Sequence, residues 1–292
     1  MVTVPLPFEV MNQPFVLPAP GAGWFVGCRE GGGLVTGGAF HQVAMPGALT
    51  AGCFEGGRLF LAFARAGDKK GRLFADSLGE VIDGAVKPWA RLEALGKTAR
   101  PVPWLTLAGP EVIIASSLAR EPTGRGWALH RLDARGRIVT SFELVPSTSE
   151  ATEPVSRRGD LLRCRQRALD HDLTERPFDA TLPPLVAGRA SVCGAWTAEA
   201  GHSTTLSLAM AEGRTELPLE NFPSHLVDGG AWIAWSAGKK LSVRLDDGRV
   251  SSPKTGGRLV CSLATRGGQL AVLARGELHT AHADSRLLLI DP

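Results

Sequence analysis

The sequence predicts an all-β fold built from one repeated unit. Gly and Pro supply 35 and 20 of the 292 residues, and in a helix interior they cost roughly 1 and 3 kcal/mol relative to Ala. Short apolar runs bounded by glycine turns recur along the chain, as in LFLAFA and LAVLA. Together these features exclude a helical bundle or solenoid and favour short strands joined by tight turns.

The repeated unit consists of a glycine turn, an apolar run, a loop and a second run that alternates. Copies begin at Gly21, Gly57, Gly109, Gly159, Gly188, Gly229 and Gly267, about 41 residues apart on average. This period lies in the range of roughly 40 to 50 residues for a four-stranded β-propeller blade. An inner strand packed between two neighbouring blades would be apolar along its length, whereas an outer strand would alternate, as Leu206 and Leu208 do.

Seven copies predict a β-propeller of seven blades, forming a single domain over residues 1–292. Six blades are the alternative, because the interval from Gly159 to Gly188 is only 29 residues. We expect Val2 to Val4 to pair with the last blade near Leu287 to Ile290, which would leave no open sheet edge. A β-sandwich or barrel with a recurring hairpin is the competing fold.

One segment carries a helical pattern. In KPWARLEALGK, Pro88 suits a first helical turn and Gly96 suits a C-terminal cap, which predicts a short helical insertion near residues 88–96. The segment falls in the longest interval between copies. Because insertions of this kind often contact partners, we take Trp89 as a candidate partner-binding residue, with edge coverage as the alternative role.

Charge, targeting and cysteine use limit the function classes. The formal net charge of +3 is too small to indicate a nucleic-acid or anionic-membrane partner. The start MVTVPLPFEV lacks a basic region and is interrupted by prolines, and no apolar stretch is long enough to span a membrane. The five cysteines show no CxxC pair, so we expect a cytoplasmic protein with reduced thiols.

The search for site motifs yields candidates but no assigned catalytic or cofactor-binding residue. Asp170, His171 and Asp172 could offer ligands to a divalent cation, although a solvated loop explains the cluster equally well. Arginines at alternate positions would project from one strand face and could bind an anionic or acidic partner: Arg163, Arg165 and Arg167. A solvated strand face is again the simpler explanation. No cofactor is indicated.

The glycine-led repeat resembles the bacterial β-propeller superfamily from Gly21 to Pro292. The signatures of two named groups are missing: none of the seven tryptophans is followed by Asp, as WD repeats require, and the glycine pairs lack the later aromatic pair of kelch blades. The resemblance therefore carries over no functional residues. It implies a rigid interaction platform, in some cases an accessory partner of an ATPase or effector complex.

Three functions compete at this point. The first is a non-catalytic scaffold for protein–protein interaction. The second is a hydrolase or lyase whose site, at the mouth of a central channel, draws residues from several blades. The third is a lectin-like module in which tryptophans near the strand runs bind sugar: Trp24, Trp127, Trp196 and Trp232.

Overall fold

The computed structural model describes residues 1–11, 14–66, 73–91, 99–108, 111–120, 124–133, 135, 137–144, 156–158, 161–164, 167–170, 172–177, 185–197, 201–210, 213–276 and 284–292. Within them the chain forms 28 strands and no helix, which confirms the all-β prediction. Because the described part is helix-free, it contains no helix of the length and apolarity that crossing a membrane requires.

The strands are short and follow one another closely. In the first half of the chain they are β1 Val2–Pro5, β2 Phe15–Pro18, β3 Trp24–Cys28, β4 Gly31–Thr36, β5 Ala39–Gln42, β6 Ala48–Glu55, β7 Arg58–Ala66, β8 Leu73–Ile82, β9 Ala85–Arg91, β10 Ala99–Ala108, β11 Glu111–Arg120, β12 Gly124–Leu132 and β13 Ile138–Leu144. In the second half they are β14 Ser156–Arg158, β15 Leu161–Cys164, β16 Arg167–Leu169, β17 Glu175–Arg176, β18 Leu185–Ala187, β19 Ala190–Thr197, β20 Gly201–Met210, β21 Gly213–Leu219, β22 His225–Asp228, β23 Trp232–Ala237, β24 Lys240–Leu245, β25 Val250–Ser251, β26 Leu259–Arg266, β27 Gln269–Arg275 and β28 Arg286–Ile290.

These strands pair into seven four-stranded antiparallel sheets. Six of the sheets are runs of four consecutive strands, from β2–β5 to β22–β25. The seventh combines β26, β27 and β28 with β1 from the start of the chain. Val2 lies opposite Leu289 and Val4 opposite Leu287, so the predicted pairing of the two chain ends is confirmed.

In the five sheets whose connection into the second strand is described, that connection contains glycine of positive φ. Gly56 and Gly57 precede β7, and Gly267 and Gly268 precede β27, and all four have positive φ values between 55° and 82°. Two consecutive residues of positive φ are what a tight type I′ hairpin demands, and glycine adopts that conformation without strain. The repeated glycines therefore act as hairpin turns, and the apolar runs after them are the second strands.

The hydrophobic core lies between successive sheets. In β27, Ala271 and Leu273 pack towards the β2–β5 sheet, whereas Leu270 and Val272 pack towards the β22–β25 sheet. Side chains of a strand alternate between its two faces. A second strand must therefore be apolar at every position to have both faces buried, which explains runs such as LAVLA.

First strands of neighbouring sheets contact one another in two series. β2 contacts β6, β6 contacts β10, and β10 contacts β14. Later in the chain β18 contacts β22 and β22 contacts β26. β26 also contacts β2, which joins the end of the second series to the start of the first.

The predicted helical insertion near residues 88–96 is not confirmed. Residues 88–91 belong to β9, the outer strand of its sheet, and residues 92–98 lie outside the described residues. An outer strand tolerates Pro88, since its missing N–H is not needed by a further strand. Ala90 pairs with Leu78 and Pro88 with Gly79, so Trp89 is the extra residue of a β-bulge.

We expect substitution of a buried residue of β1 to destabilise the fold more than substitution of an exposed residue of the same strand. Val4 is 1% exposed and belongs to the core cluster, whereas Val2, on the same strand, is 51% exposed. Val4→Ala should lower the free energy of unfolding by about 2 kcal/mol, and Val2→Ala by less than about 0.5 kcal/mol. Urea denaturation of both variants measures this, and equal effects would contradict the packing of β1.

Candidate binding cleft

A solvent-open cleft of about 250 Å³ lies between the β18–β21 and β22–β25 sheets. One wall is the end of β21 and the residues that follow it, from Pro218 to Asn221. The floor is one face of the second sheet: Trp235, Ala237, Lys240, Ser242 and Val250, with Ser252 beyond it. The cleft is therefore a gap between the outer parts of two neighbouring sheets.

Strand register places these floor residues on one face. Trp235 lies opposite Ser242, and Ala237 lies opposite Lys240, and directly opposed residues project to the same side of a sheet. Deeper in the same interface, the Trp235 side chain is half-buried against the core cluster that holds Leu206 and Ile233. The cleft thus begins where the core between the two sheets ends.

An ion pair lies at one end of the cleft, beside the β23–β24 turn. Lys239 and Lys240 lie in and beside the β23–β24 turn, and the Thr255 hydroxyl donates a hydrogen bond to the Lys239 carbonyl at 3.0 Å. Lys240 lines the cleft, and its ammonium lies 3.1 Å from the Glu220 carboxylate of the opposite wall.

The rest of the cleft is apolar at its rim. Val250, on the same sheet face as Ser242, is 56% exposed, and Phe222, one residue past the wall, is 46% exposed. Val250 lies opposite Arg244, which is four residues along β24 from Lys240. The span from Lys240 to Val250 along the cleft therefore corresponds to about four residues of an extended chain. Lys240 and Val250 thus lie at opposite ends of the cleft floor.

The predicted metal candidates have other partners where they are described. Asp170 is buried and its Oδ1 accepts hydrogen bonds from the backbone N–H groups of Thr174 (2.9 Å) and Asp172 (3.0 Å), while Oδ2 accepts one from Arg176 at 2.9 Å. These bonds, that from Thr174 first, hold the pKa of Asp170 below its ordinary value. The Asp172 carboxylate pairs with Arg131 of the preceding sheet.

No group of three potential metal ligands occurs among the residues that the structure describes. His171 lies outside them. The hydrogen bonds of Asp170 fix the β16–β17 turn, in the manner of an Asx turn. Asp133 does the same in the β12–β13 turn, accepting the backbone N–H groups of Arg135 and Arg137, both at 2.9 Å.

The predicted arginine stripe does not lie on a single strand. Arg163 is in β15 and Arg167 in β16, while Arg165 lies outside the described residues. Cys164 pairs with Arg167, so the chain reverses between them. The expectation of three alternating positions on one strand is wrong, because a hairpin turn interrupts it.

Trp89 packs against its own sheet. Its ring lies 4.8 Å from the ring of Phe60, and the Arg58 guanidinium stacks on Phe60 at 4.6 Å from the ring centre. Arg58 also makes two hydrogen bonds of 2.7 Å to Glu80. Trp89 is half-buried in this stack, and its predicted role in partner binding stays a prediction.

A histidine on β22 and a serine on β23, His225 and Ser236, lie side by side in the same sheet. The Nδ1 of His225 and the Oγ of Ser236 lie 3.0 Å apart. Burial lowers the pKa of His225, although its hydrogen bond to the Cys261 backbone opposes this. Ser236 has no exposed surface, so its hydroxyl is inaccessible to a substrate in this conformation.

Two of the tryptophans considered for sugar binding are buried between sheets. The Trp24 indole donates a hydrogen bond to the Gln269 side chain at 3.1 Å, and the Trp232 indole donates one to the Gly268 carbonyl at 2.9 Å. Both rings belong to core clusters. The periodicity of the sequence does not distinguish Trp24 and Trp232 from Trp235. Trp235 is partly exposed because the neighbouring sheet does not cover it completely.

Comparison with known proteins identifies the fold alone. No protein-family model and no curated protein matches the chain. Among solved structures, it is similar to the extracellular domain of BT4673 from B. thetaiotaomicron, with TM-score 0.51, 9% identity and coverage of 94% of this chain and 40% of that one. It is also similar to the AfRom2 CNH domain, with TM-score 0.50, 9% identity and coverage of 98% and 96%. BamB from Moraxella catarrhalis matches with TM-score 0.49, 13% identity and 98% of each chain. The chain has a β-propeller-like fold and no specific family is indicated.

The hydrogen bonds of Asp170 predict a pH-dependent contribution to stability. A carboxylate whose pKa is lowered in the folded state stabilises the fold above its unfolded pKa, and this contribution disappears as the pH falls through the folded pKa. Asp170→Asn should therefore lower the Tm at pH 7, and the difference from the wild type should shrink as the pH falls below about 4.

Thermal unfolding followed by circular dichroism between pH 7 and pH 2 measures this difference. Asp83→Asn, in the exposed β8–β9 turn, is the matched control and should change the Tm little at any pH. A Tm difference for Asp170→Asn that is constant over the whole range would contradict the assigned role.

Proposed function

We propose that the chain is one propeller domain over residues 1–292 in which each four-stranded sheet is a blade, making seven blades. The contacts between successive first strands, which return from β26 to β2, support a closed arrangement. The β14–β17 sheet supports seven blades over six, because its strands have only two to four residues each. Such short strands fit within the 29-residue interval that suggested a missing blade.

We further propose that this propeller is a non-catalytic scaffold that binds a protein partner, in the cytoplasm and as an accessory component of a larger complex. The observation that carries the proposal is the solvent-open cleft beside the half-buried Trp235, with exposed apolar residues at its rim and the Lys240–Glu220 ion pair at one end. Aromatic and apolar groups in a depression with a polar rim are typical of protein–protein contact sites. Blades packed on both faces supply the rigidity that such a platform needs.

The test is recovery of a stoichiometric complex from the native host. The full chain, tagged at its genomic locus, is expected to elute from gel filtration well above the 30.9 kDa of the chain, with one dominant partner at a fixed ratio. Chemical cross-linking and mass spectrometry should then join that partner to this protein. A scaffold is expected to behave in this way because its activity consists of holding another protein.

Specific association is checked by competition. An excess of untagged chain added to the extract should displace the tagged chain from the partner in proportion to its concentration. Elution of the native protein alone as a monomer, with no partner cross-linked before lysis, would contradict the scaffold function.

A further inference from the structure

The first strands of the last two sheets are joined through the His225 side chain. Nδ1 of His225 lies 3.0 Å from the Oγ of Ser236, the residue opposite it on β23. The ring also makes a hydrogen bond to the backbone of Cys261, which belongs to β26 in the neighbouring sheet. One imidazole thus connects three strands and two sheets, and we call His225, Ser236 and Cys261 the β22–β26 joint.

A β-bulge in β26 makes the bond between the two sheets available. Val260 lies opposite Ala274 and Ser262 opposite Leu273, so Cys261 is the extra residue that the ladder between β26 and β27 passes over. Its carbonyl accepts the hydrogen bond from the neighbouring sheet instead. The bulge therefore has a specific consequence, which is a polar contact between two first strands.

The two contacts of His225 require the neutral form of its imidazole. A carbonyl only accepts hydrogen bonds, so the nitrogen that faces Cys261 carries the proton. Nδ1 is then an acceptor, and the Ser236 hydroxyl donates to it. Ser236 is fully buried, and burial lowers the pKa of His225, because a charged ring would lose its hydration there. The closed joint therefore disfavours a second proton on the ring.

The charged groups of the surrounding strands do not compensate a charge on His225. The strands packed against β22 are β18, β19, β23 and β26; the first three contain no charged residue, and their one titratable group is the Cys193 thiol. The charged residue of β26 is Arg266, at the far end of that strand. Asp228 lies three residues from His225, about 10 Å along an extended strand, and pairs with Arg189 at 3.3 Å.

Two further groups beside the joint carry no negative charge. Burial raises the pKa of the Cys261 thiol, although the charge of Arg275 on β27 opposes this, so the thiol is neutral near pH 7. Arg275 is a cation whose guanidinium donates to the Met11 carbonyl at 3.4 Å. A proton added to His225 in the closed joint therefore gains no ionic partner from these described groups.

We propose that the β22–β26 joint is an acid-sensitive contact between the last two sheets, closed by the neutral imidazole of His225 and opened by its protonation. This regulatory property goes beyond the scaffold function and does not depend on it. When β22 and β26 separate, the imidazole is hydrated and titrates near its ordinary pKa of about 6.5. Opening therefore takes up a proton, and acid favours the open joint.

Two other contacts join the same pair of sheets and do not titrate. The Val260 N–H donates to the Gly238 carbonyl at 3.0 Å, and the Trp232 indole donates to the Gly268 carbonyl at 2.9 Å. Carboxylates of ordinary pKa become protonated only near pH 4, whereas histidine titrates between pH 5 and 8. A change in the joint between pH 7.5 and pH 5.5 is therefore expected from a histidine.

The Cys261 thiol can report on opening of the joint. It is half-buried and donates to the Leu259 carbonyl at 3.5 Å, so its reaction should become faster when β26 separates from β22. The probe is 4,4′-dithiodipyridine, which forms a mixed disulfide with the thiol and releases thiopyridone. Peptide mass spectrometry of the full chain gives the labelling rate of Cys261 relative to that of Cys53, a half-buried thiol on β6.

The ratio of the two rates should rise by up to about tenfold between pH 7.5 and pH 5.5, because the open joint gains a proton with a pKa near 6.5. His225→Gln keeps a polar side chain that cannot be protonated, and its ratio should be equal at both pH values. His41→Gln, at an exposed position of β5, is the matched control and should follow the wild type.

Hydrogen exchange of the wild type is a second measurement that needs no variant. After correction for the intrinsic effect of pH, peptides from β26 should lose protection at pH 5.5, and peptides from β7 should keep it.

A wild-type ratio that stays constant from pH 7.5 to pH 5.5, or a rise that persists in His225→Gln, would overturn the proposal. Equal loss of protection in β7 and β26 would also overturn it, since this indicates general unfolding. None of these results bears on the scaffold function, which is tested separately by recovery of a partner.

Discussion

The fold depends on burying both faces of the second strand in each sheet. In β27 and β23 consecutive side chains belong to different core clusters, so that Leu270 faces one neighbouring sheet and Leu273 the other. A sheet with two apolar faces is stable only between two others. In an open row of such sheets, the first and the last would each expose an apolar face to water. Pairing of β1 with β28 joins the start of the chain to its last sheet.

The same arrangement determines where polar chemistry can occur. Because the middle strands are committed to packing, the described carboxylates with lowered pKa values are concentrated in turns and at strand ends. Arg286 and Arg258 lower the pKa of Asp284 to about 2, and Asp170 and Asp133 hold hairpin turns by accepting backbone N–H groups. An acidic cluster that looks like a metal site in sequence thus has a structural role.

A binding site is then most readily formed where the packing between sheets ends. Sheets that meet at their first strands diverge outwards, and the space between their outer strands is filled only where side chains are large enough. Between β21 and β24 it is incompletely filled, which leaves Trp235 half-exposed beside Lys240.

The sequence alone determined the strand class, the period and the partner of the first strand. Glycine pairs specify hairpins through positive φ, and an unbroken apolar run specifies burial on two faces, because both are local properties of the chain.

The tertiary structure decided the outcome at positions where local patterns are ambiguous. Trp89 lies at a bulge of β9, where the strand pairs with β8. Arg163 and Arg167 are separated by a turn. The cleft combines residues from two sheets, and no spacing within one segment reveals which side chains a neighbouring sheet leaves uncovered.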